Sequence, residues 1–471
     1  MSGPAAAFSG LVFALHPLQT ESVTYIVGRS GSMAAMFCLA GFLAYIRLSG
    51  RPRAAAVISL FCLAVMTKEN AVVFPLLLLL YETTSGSRAG RYRLAASTLG
   101  MSAIFTMFRL NIVRMNPSTV RSGGTVSHWM TEVFVIPQYL RKVIFPFSLN
   151  SDYDITAVTS AADPRFYLSA ALLLVIVYGL FRLYSSDRLA GFLGAWFFIT
   201  ILPETAVPLQ DYMADHRTYL PIAGFSIIAG YFGMRLLEGF GPKVKYGRAV
   251  PAACAGLALV LLGTAACARN AVYSSELAYW GDATLKSPGK SRTASALGLA
   301  EYEAGLVDEA EGHFRAAAVI DPRDAKAAFN LASLLAETGR PEQALDYNQL
   351  ACAVAPGYPK FIEGLAKTYA RLGRLDEADE TFRKAIAAQP DLAGTYTSYG
   401  KFLLVTGSPV KAKAPLLRAV ELAPADSYAH GELADAFYLS GDSVSGDREY
   451  GLYQRLLPSG EKPVPHRGAA R

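Results

Sequence analysis

The chain has 471 residues, of which 52% are hydrophobic and 17% are charged, and its formal net charge is +6. Soluble domains carry about a quarter charged residues. Here the charges are scarce up to about residue 268 and dense afterwards, which predicts a membrane-embedded part followed by a water-soluble part. Lys and Arg form short clusters between apolar runs and no continuous basic face, so the composition argues against a nucleic-acid partner and for the lipid bilayer.

Nine apolar runs in the first part predict helices in a membrane. They lie near residues 4–15, 31–48, 54–66, 70–81, 94–110, 166–183, 188–203, 219–237 and 249–267. Several are shorter than the roughly 20 residues that span a bilayer. The two runs that flank Lys68 and Glu69 form either two short spans or one broken helix. We therefore predict an all-α fold in which residues 1–268 are a multi-pass transmembrane helical bundle.

Basic clusters set the predicted orientation of this bundle. If all nine runs cross the membrane, the clusters within residues 47–53, 88–93, 182–188 and 235–248 lie on one face. The positive-inside rule assigns that face to the cytoplasm, so the part after the ninth run lies on the opposite side. The composition favours a bacterial inner membrane with that part in the periplasm; in a eukaryote it would lie in the lumen of the endoplasmic reticulum.

Polar segments at the ends of the runs fall on the predicted non-cytoplasmic face. Ionisable groups at such positions cost free energy unless they are paired or functional. The residues are His16, Glu21, Arg29, Lys68, Glu69, Asp152, Asp154, Asp211, Asp215, His216 and Arg217. Their occurrence on one face predicts a polar cavity; the alternative is a set of interfacial side chains that merely extend to water.

Two residue types recur with a period of 34 in the last part of the chain. Proline occurs at Pro288, Pro322, Pro356, Pro390, Pro424 and Pro458, and glycine at Gly305, Gly339, Gly373, Gly407 and Gly441. Each unit is therefore predicted to be a helix, a glycine turn, a second helix and a proline-marked stop. The pattern resembles the tetratricopeptide repeat, in five copies over residues 291–458. We assign residues 269–290 to a linker and residues 459–471 to a disordered tail.

The repeat pattern implies a superhelix whose concave groove binds an extended peptide or another protein. Lys326 and Asn330 lie four residues apart on one predicted helix and in the groove would hold a ligand backbone or carboxylate. The alternative for this pair is a solvated helix face.

Four strings precede the repeats in a fixed order: HPLQTESVTYIVGRSG, TKEN, FPFSLNSDYD and PLQDYMADHRTYLP. Together with the repeats they resemble the transmembrane-and-tetratricopeptide-repeat family of O-mannosyltransferase-like proteins, which belongs to the GT-C class of membrane glycosyltransferases. The resemblance covers nearly the whole chain. It implies transfer of a sugar from a polyprenyl-phosphate donor to a protein Ser or Thr hydroxyl on the non-cytoplasmic face.

That reaction requires a carboxylate that removes the hydroxyl proton and cations that stabilise the departing lipid phosphate. The candidate phosphate partners are Arg29, Lys68, His216 and Arg217, and the carboxylates that could orient them are Glu21, Glu69, Asp152, Asp154, Asp211 and Asp215. For Arg217 the alternative is a structural ion pair with Asp211 or Asp215. For His16 the alternative is a helix-end cap. No metal-ligand set is evident, so no metal cofactor is predicted.

The sequence departs from the family at its start. In the family, the carboxylate taken to be catalytic lies in a loop upstream of the HPLQTES-like string, whereas only fifteen residues without an acidic group precede His16. The resemblance therefore implies an N-terminally truncated form, whose catalytic residue is unknown and whose enzymatic activity is open. The alternative function is a non-enzymatic membrane scaffold that binds proteins through its repeats.

Overall fold

The computed structural model describes residues 3–85, 92–115, 124–207, 211–239, 249–458 and 463–465. All regular secondary structure within these residues is helical, which confirms the predicted all-α class. The chain divides into two compact units, residues 1–288 and residues 289–471, called here the membrane unit and the repeat unit.

Twelve α-helices occur in the described part of the membrane unit. They are α1 (Gly3–Leu15), α2 (Thr20–Thr24), α3 (Arg29–Arg47), α4 (Gly50–Thr67), α5 (Phe74–Ser85), α6 (Tyr92–Met115), α7 (Thr125–Ile144), α8 (Pro164–Ser186), α9 (Arg188–Ala206), α10 (Tyr219–Gly239), α11 (Ala249–Val272) and α12 (Glu276–Lys286). Each of the nine predicted apolar runs overlaps an α-helix, and the run near residues 70–81 begins in a 3-10 turn before α5. Between α4 and α5 the backbone of Lys68 is extended, and a 3-10 turn follows at Glu69–Val73, so two separate helices flank this break.

Five of these helices are long and apolar enough to cross a membrane. They cover Arg29–Arg47, Gly50–Thr67, Pro164–Ser186, Arg188–Ala206 and Ala252–Val272. Only 6% of the apolar window of α8 is buried inside the unit, and such a helix needs hydrocarbon around it because water would meet its apolar side chains. The chain is therefore a membrane protein. The basic segments within residues 88–91 and 243–248, used for the predicted orientation, lie outside the described residues.

Helix α7 was missed by the sequence analysis. Its sequence interrupts the apolar residues with His128, Glu132 and Lys142, all of which are buried in the unit. Polar groups that face a protein interior lower the mean hydropathy of a helix without exposing it to water. Apolarity alone therefore failed to detect this element, although its amphipathic spacing is that of a helix.

Helix α9 lies among α5, α8 and α10 and forms much of the core. Trp196 is 1% exposed and donates from its indole nitrogen to the carbonyl oxygen of Leu220, 2.9 Å away. Gly224 lets α10 approach this ring, because a Cβ at Gly224 would lie 2.7 Å from the Trp196 side chain. This packing fixes the position of the start of α10, where the string PLQDYMADHRTYLP ends.

The predicted linker at residues 269–290 is corrected by the structure. Helix α11 continues to Val272, and α12 folds back onto the loop after α7. Lys286 donates to the carbonyl oxygen of Leu149 at 2.7 Å, and Asn150 donates to the Ser287 hydroxyl at the same distance. These hydrogen bonds make residues up to 288 part of the membrane unit.

The repeat unit contains five antiparallel helix pairs, as the period of 34 predicts. The pairs are α13 (Ser291–Glu303) with α14 (Val307–Ile320), α15 (Ala325–Glu337) with α16 (Pro341–Val354), α17 (Pro359–Arg371) with α18 (Leu375–Ala388), α19 (Ala393–Val405) with α20 (Pro409–Leu422), and α21 (Ser427–Leu439) with α22 (Ser443–Leu456). The first helix of every pair ends at a glycine with φ between 72° and 89°. This left-handed conformation closes the helix and turns the chain into its partner.

Small residues bring the two helices of each pair together. Ala310, Ala344, Ala378 and Ala412 are all 0% exposed. Gly400 packs directly on Leu416, and Gly446 in the last pair packs on the ring of Tyr438. Most of the predicted tail lies outside the described residues, but Val464 contacts the hydroxyl groups of Tyr450 and Tyr453 through its main chain.

Candidate functional site

A 3-10 turn at Asp215–Thr218 leads into α10 and carries three consecutive ionisable residues. Asp215 and Arg217 are buried, and His216 is partly exposed. Each side chain contacts a different segment of the membrane unit, so this turn joins groups that are far apart in sequence. We call the residues involved the polar cluster: Glu21, Lys68, Tyr153, Glu204, Asp215, His216, Arg217 and Arg269.

His216 is held by Glu21 through two contacts. One carboxylate oxygen of Glu21 lies 2.7 Å from His216 Nδ1, and the other accepts the backbone N–H of His216 at 3.1 Å. The Ser22 hydroxyl donates to the carbonyl oxygen of His216. Because Nδ1 faces the carboxylate, Nε2 is the ring nitrogen directed away from it, on a side chain that is 31% exposed.

Glu204 lies between two cations in a buried position near the end of α9. Its carboxylate is 3.5 Å from Lys68 Nζ and 3.4 Å from Arg217 Nε. Asn70 donates to the same carboxylate at 3.2 Å. The remaining guanidinium nitrogens of Arg217 donate to the carbonyl oxygens of Tyr212 and Asp211. Glu204 thus lies between Lys68 and Arg217, and the charges of Glu132 and Asp211 also act on Arg217.

Asp215 connects the turn to the loop after α7 and to α11. It accepts the Tyr153 hydroxyl at 2.7 Å, and Arg269 approaches its other oxygen at 3.9 Å. Burial raises the pKa of Asp215 to about 7, with a further contribution from the Glu21 charge, while Arg269 acts in the opposite direction. Arg269 is also paired with Asp282 at 2.7 Å. The carboxyl group therefore changes charge near neutral pH.

His16 occupies a buried capping position. Its Nδ1 accepts the backbone N–H of Leu18, and Nε2 faces the carbonyl oxygen of Val143 at 2.9 Å. Burial lowers the pKa of His16 to about 4, so the ring is neutral at pH 7. Since a backbone N–H can only donate and a carbonyl can only accept, the two contacts assign the proton to Nε2. Of the two alternatives for His16, a site residue or a helix-end cap, this geometry matches the helix-end cap.

The other predicted residues have different surroundings. Arg29 is exposed and donates to the carbonyl oxygen of Val23, and Glu69 is an exposed partner of Arg109 at 3.7 Å. Asp152 and Asp154 contact the Ser287 hydroxyl through their main chains. The carboxylate that pairs with Arg217 at 3.4 Å belongs to Glu204, and the charge of Asp211, one of the two predicted partners, also acts on Arg217. Residues 208–210 of the last string lie outside the described residues.

Three members of the polar cluster were not among the residues predicted from the sequence: Glu204, Tyr153 and Arg269. Glu204 carried a usable signal, since a carboxylate inside an otherwise apolar span is costly and usually functional. Arg269 lies within the residues assigned to the linker, and Tyr153 was passed over in favour of its acidic neighbours. Among the residues that the structure describes, no three His, Cys, Asp or Glu side chains are grouped to hold a metal ion.

In the repeat unit, Asn330 donates to the Ser295 hydroxyl at 3.1 Å, across neighbouring first helices of two repeats. Lys326 is exposed, and its backbone N–H is capped by Asp324. The two side chains therefore lie on the surface formed by the first helices, with Lys326 accessible to a ligand.

Comparisons with known proteins agree with both units. A tetratricopeptide repeat family model matches residues 361–392. Protein O-mannosyl-transferase TMTC3 of Mus musculus is 22% identical over 481 residues, which cover 89% of this chain and 52% of that protein. The Homo sapiens protein of the same name is also 22% identical, over 90% of this chain and 52% of its own length. The predicted family resemblance is confirmed.

Protein O-mannosyl-transferase Tmtc2 of Drosophila melanogaster matches a shorter stretch, with 29% identity over 37% of this chain and 21% of that protein. Among solved structures, a thermophilic tetratricopeptide protein of Thermus thermophilus is 23% identical, with a TM-score of 0.33 over 36% of this chain and 93% of its own. Pseudomonas aeruginosa pilF is 21% identical, with a TM-score of 0.33, over 36% of this chain and 78% of its own. The chain spans about half the length of the mouse and human TMTC3 proteins.

Proposed function

We propose that the chain is a membrane glycosyltransferase-like protein that transfers a sugar from a polyprenyl-phosphate donor to protein Ser or Thr hydroxyls. The observation that carries this proposal is the convergence of the four strings. Glu21, Lys68, Tyr153 and the turn at residues 215–217 each come from a different string, and the contacts described above join them. Ionisable groups assembled at this cost in a membrane protein are expected to serve function.

The phosphate of the donor would bind near Lys68 and His216. Lys68 Nζ lies against the first turn of α3, since a Cβ on Gly31 would be 3.5 Å from Nζ and 4.0 Å from the His216 carbonyl oxygen. The N-cap of α3 is Gly28, which has no side chain to accept the N–H groups of that turn. A lysine beside the N-terminus of a helix attracts an anion through both its charge and the helix dipole.

Glu21 and Glu204 support this proposal as positioning residues. Both carboxylates are already engaged by His216 or by Lys68 and Arg217, so neither is offered as the base for the acceptor hydroxyl. We therefore propose no base for the acceptor hydroxyl among the described residues. Arg217 would contribute through Glu204 and through the long-range field of its charge, because its own nitrogens already donate to main-chain carbonyl oxygens.

The repeats would bind the acceptor protein or another partner. Tetratricopeptide arrays expose a long surface formed by their first helices, and in this chain that surface carries Lys326 and Asn330. If all nine apolar runs cross the membrane, the distribution of the basic clusters would put the repeats and the reaction on the non-cytoplasmic face. The composition of the chain favours a bacterium, in which that face is the periplasm.

The test is a transfer assay with the full chain purified in detergent. The substrates are a synthetic polyprenyl-phosphate mannose and a peptide that contains Ser and Thr, and the readout is the peptide mass. A hexose adduct is expected, reduced at least tenfold by Lys68→Gln and unchanged by Arg235→Gln, whose exposed side chain pairs with Asp187. No adduct from a folded wild-type chain, together with partner capture that depends on Lys326, would support the scaffold instead.

A further inference from the structure

Four aromatic side chains gather where α2 ends and α12 begins. The rings of Tyr25 and Tyr279 are parallel, with an interplanar angle of 11° and a centroid distance of 5.7 Å. Tyr273 lies 5.5 Å from Tyr279, and Trp280 lies 4.9 Å from it in an edge-on contact. Tyr25 is 39% exposed and the other three are partly exposed. We call these four residues the aromatic patch.

Hydrogen-bonding groups surround the aromatic patch. The Trp280 indole donates to the Glu276 carboxylate at 2.9 Å, and the Thr24 hydroxyl donates to the Asn270 amide oxygen at 2.6 Å. Glu276 and Asn270 are exposed. The surface therefore combines flat apolar rings with a carboxylate and an amide that reach solvent.

The aromatic patch is continuous with the polar cluster. The Arg269 guanidinium lies over the Tyr273 ring at 5.2 Å and approaches Asp215 at 3.9 Å. The Ser151 hydroxyl, from the third string, accepts from Arg269 at 3.0 Å and hydrogen-bonds to Tyr273 and Tyr279. The Arg269 side chain thus lies between the aromatic patch and the turn that carries Asp215 and His216.

These features fit the chemistry of a sugar ring. A pyranose has an apolar face of C–H groups that packs on an aromatic ring, and its hydroxyls donate to carboxylate and amide oxygens. Membrane-interface Tyr and Trp anchors are the alternative for aromatic residues after a span. Such anchors need neither the parallel stacking of Tyr25 on Tyr279 nor a shared serine and arginine that tie the rings to a charged turn.

We propose that the aromatic patch binds the pyranose ring of the glycosyl donor, with Tyr25 and Trp280 as the stacking surfaces and Glu276 and Asn270 as hydroxyl partners. The identity of the ligand as a sugar rests on the proposed function. The location of the site rests on the contacts of the aromatic patch alone.

The test measures binding and needs no turnover. The 471-residue chain in detergent is titrated with the methyl α-glycosides of mannose, glucose and galactose, and contacts are detected by saturation-transfer NMR. The wild type is expected to contact at least one of them, with affinity reduced at least fivefold in Tyr25→Ala and Trp280→Ala. Tyr25→Phe keeps the ring and is expected to bind like the wild type, while Tyr178→Ala removes an exposed aromatic residue of α8 and serves as the control.

Two results would overturn the inference. One is a folded wild-type protein that contacts none of the three glycosides. The other is glycoside binding that Tyr25→Ala and Trp280→Ala leave unchanged while their melting temperatures match the wild type. Glycoside binding without hexose transfer would count against the proposed function only, and transfer without any effect of the two variants would count against the aromatic patch only.

Discussion

Asp215 is a buried carboxyl group of the polar cluster, and its surroundings raise its pKa. Its pKa lies near 7 in the folded chain, against an ordinary value of 3.8. The folded state therefore holds this proton more tightly than the unfolded state does. The stabilising effect is fully present below about pH 4 and is lost as the pH rises through about 7.

Replacing Asp215 by Asn removes this ionisation and keeps an acceptor for the Tyr153 hydroxyl. We expect the unfolding free energy of the purified wild type, followed through its melting temperature, to fall between about pH 4 and pH 7, by on the order of 1 kcal/mol for each unit of pKa shift. The fall should be smaller in Asp215→Asn. Asp187→Asn, which changes a carboxyl outside the cluster, should leave it in place. Equal slopes in all three proteins would show that Asp215 does not titrate in this range.

Glu204 compensates Lys68 and Arg217 at a site where it is 7% exposed. Removing one partner of a buried ion pair leaves an uncompensated charge and costs about 3 to 5 kcal/mol. We therefore expect Glu204→Ala to lower the unfolding free energy of the detergent-solubilised chain by about this amount, measured by denaturant titration.

The matched control is Glu69→Ala. Glu69 is exposed and 3.7 Å from the exposed Arg109, and a pair of this kind contributes about 0 to 1 kcal/mol. A loss at Glu204 no larger than the loss at Glu69 would contradict the buried pairing.

At the scale of the element, the repeats were predicted almost completely because each pair obeys one local rule. Proline, glycine and small residues fall at fixed positions in every copy, and their effects act within one turn of helix. Helix α7 and the folded segment after Val272 obey no such rule. His128 of α7 contacts the carbonyl oxygen of Thr205, and Ser287 accepts from Asn150, which is 137 residues away. No local pattern reports such partners.

Gly400 offers a test of the helix packing within one repeat. A Cβ at this position would lie 2.3 Å from Leu416 Cγ, whereas a Cβ at Gly394 in the same helix meets nothing within 4 Å. Gly400→Ala is expected to destabilise the repeat unit by about 1 to 3 kcal/mol through overpacking. Gly394→Ala should stabilise it by up to about 1 kcal/mol, because alanine favours helix. Thermal unfolding followed by circular dichroism compares the two variants. Equal shifts in their melting temperatures would contradict the close packing of Gly400 on Leu416.

At the scale of the whole molecule, the sequence was sufficient to identify most members of the polar cluster but not their pairing. The strings contain Glu21, Lys68, Asp215, His216 and Arg217, and their family resemblance indicated that they act together. For Arg217 the sequence offered only the acidic residues nearest in the chain, Asp211 and Asp215, and it did not indicate Glu204. The actual partner, Glu204, reaches Arg217 only after α9 and α10 pack side by side.

On the proposed function, the convergence of the four strings creates a binding site for a lipid-linked phosphate. The most direct measurement is the affinity of the full chain, in detergent, for polyprenyl phosphate and for the corresponding polyprenol. We expect the phosphate to bind more tightly than the alcohol. We also expect Lys68→Gln to weaken phosphate binding about tenfold, or about 1.4 kcal/mol, while Arg235→Gln has no effect. Equal affinity for phosphate and alcohol in the folded wild type, or phosphate binding that is insensitive to Lys68→Gln, would contradict this binding site.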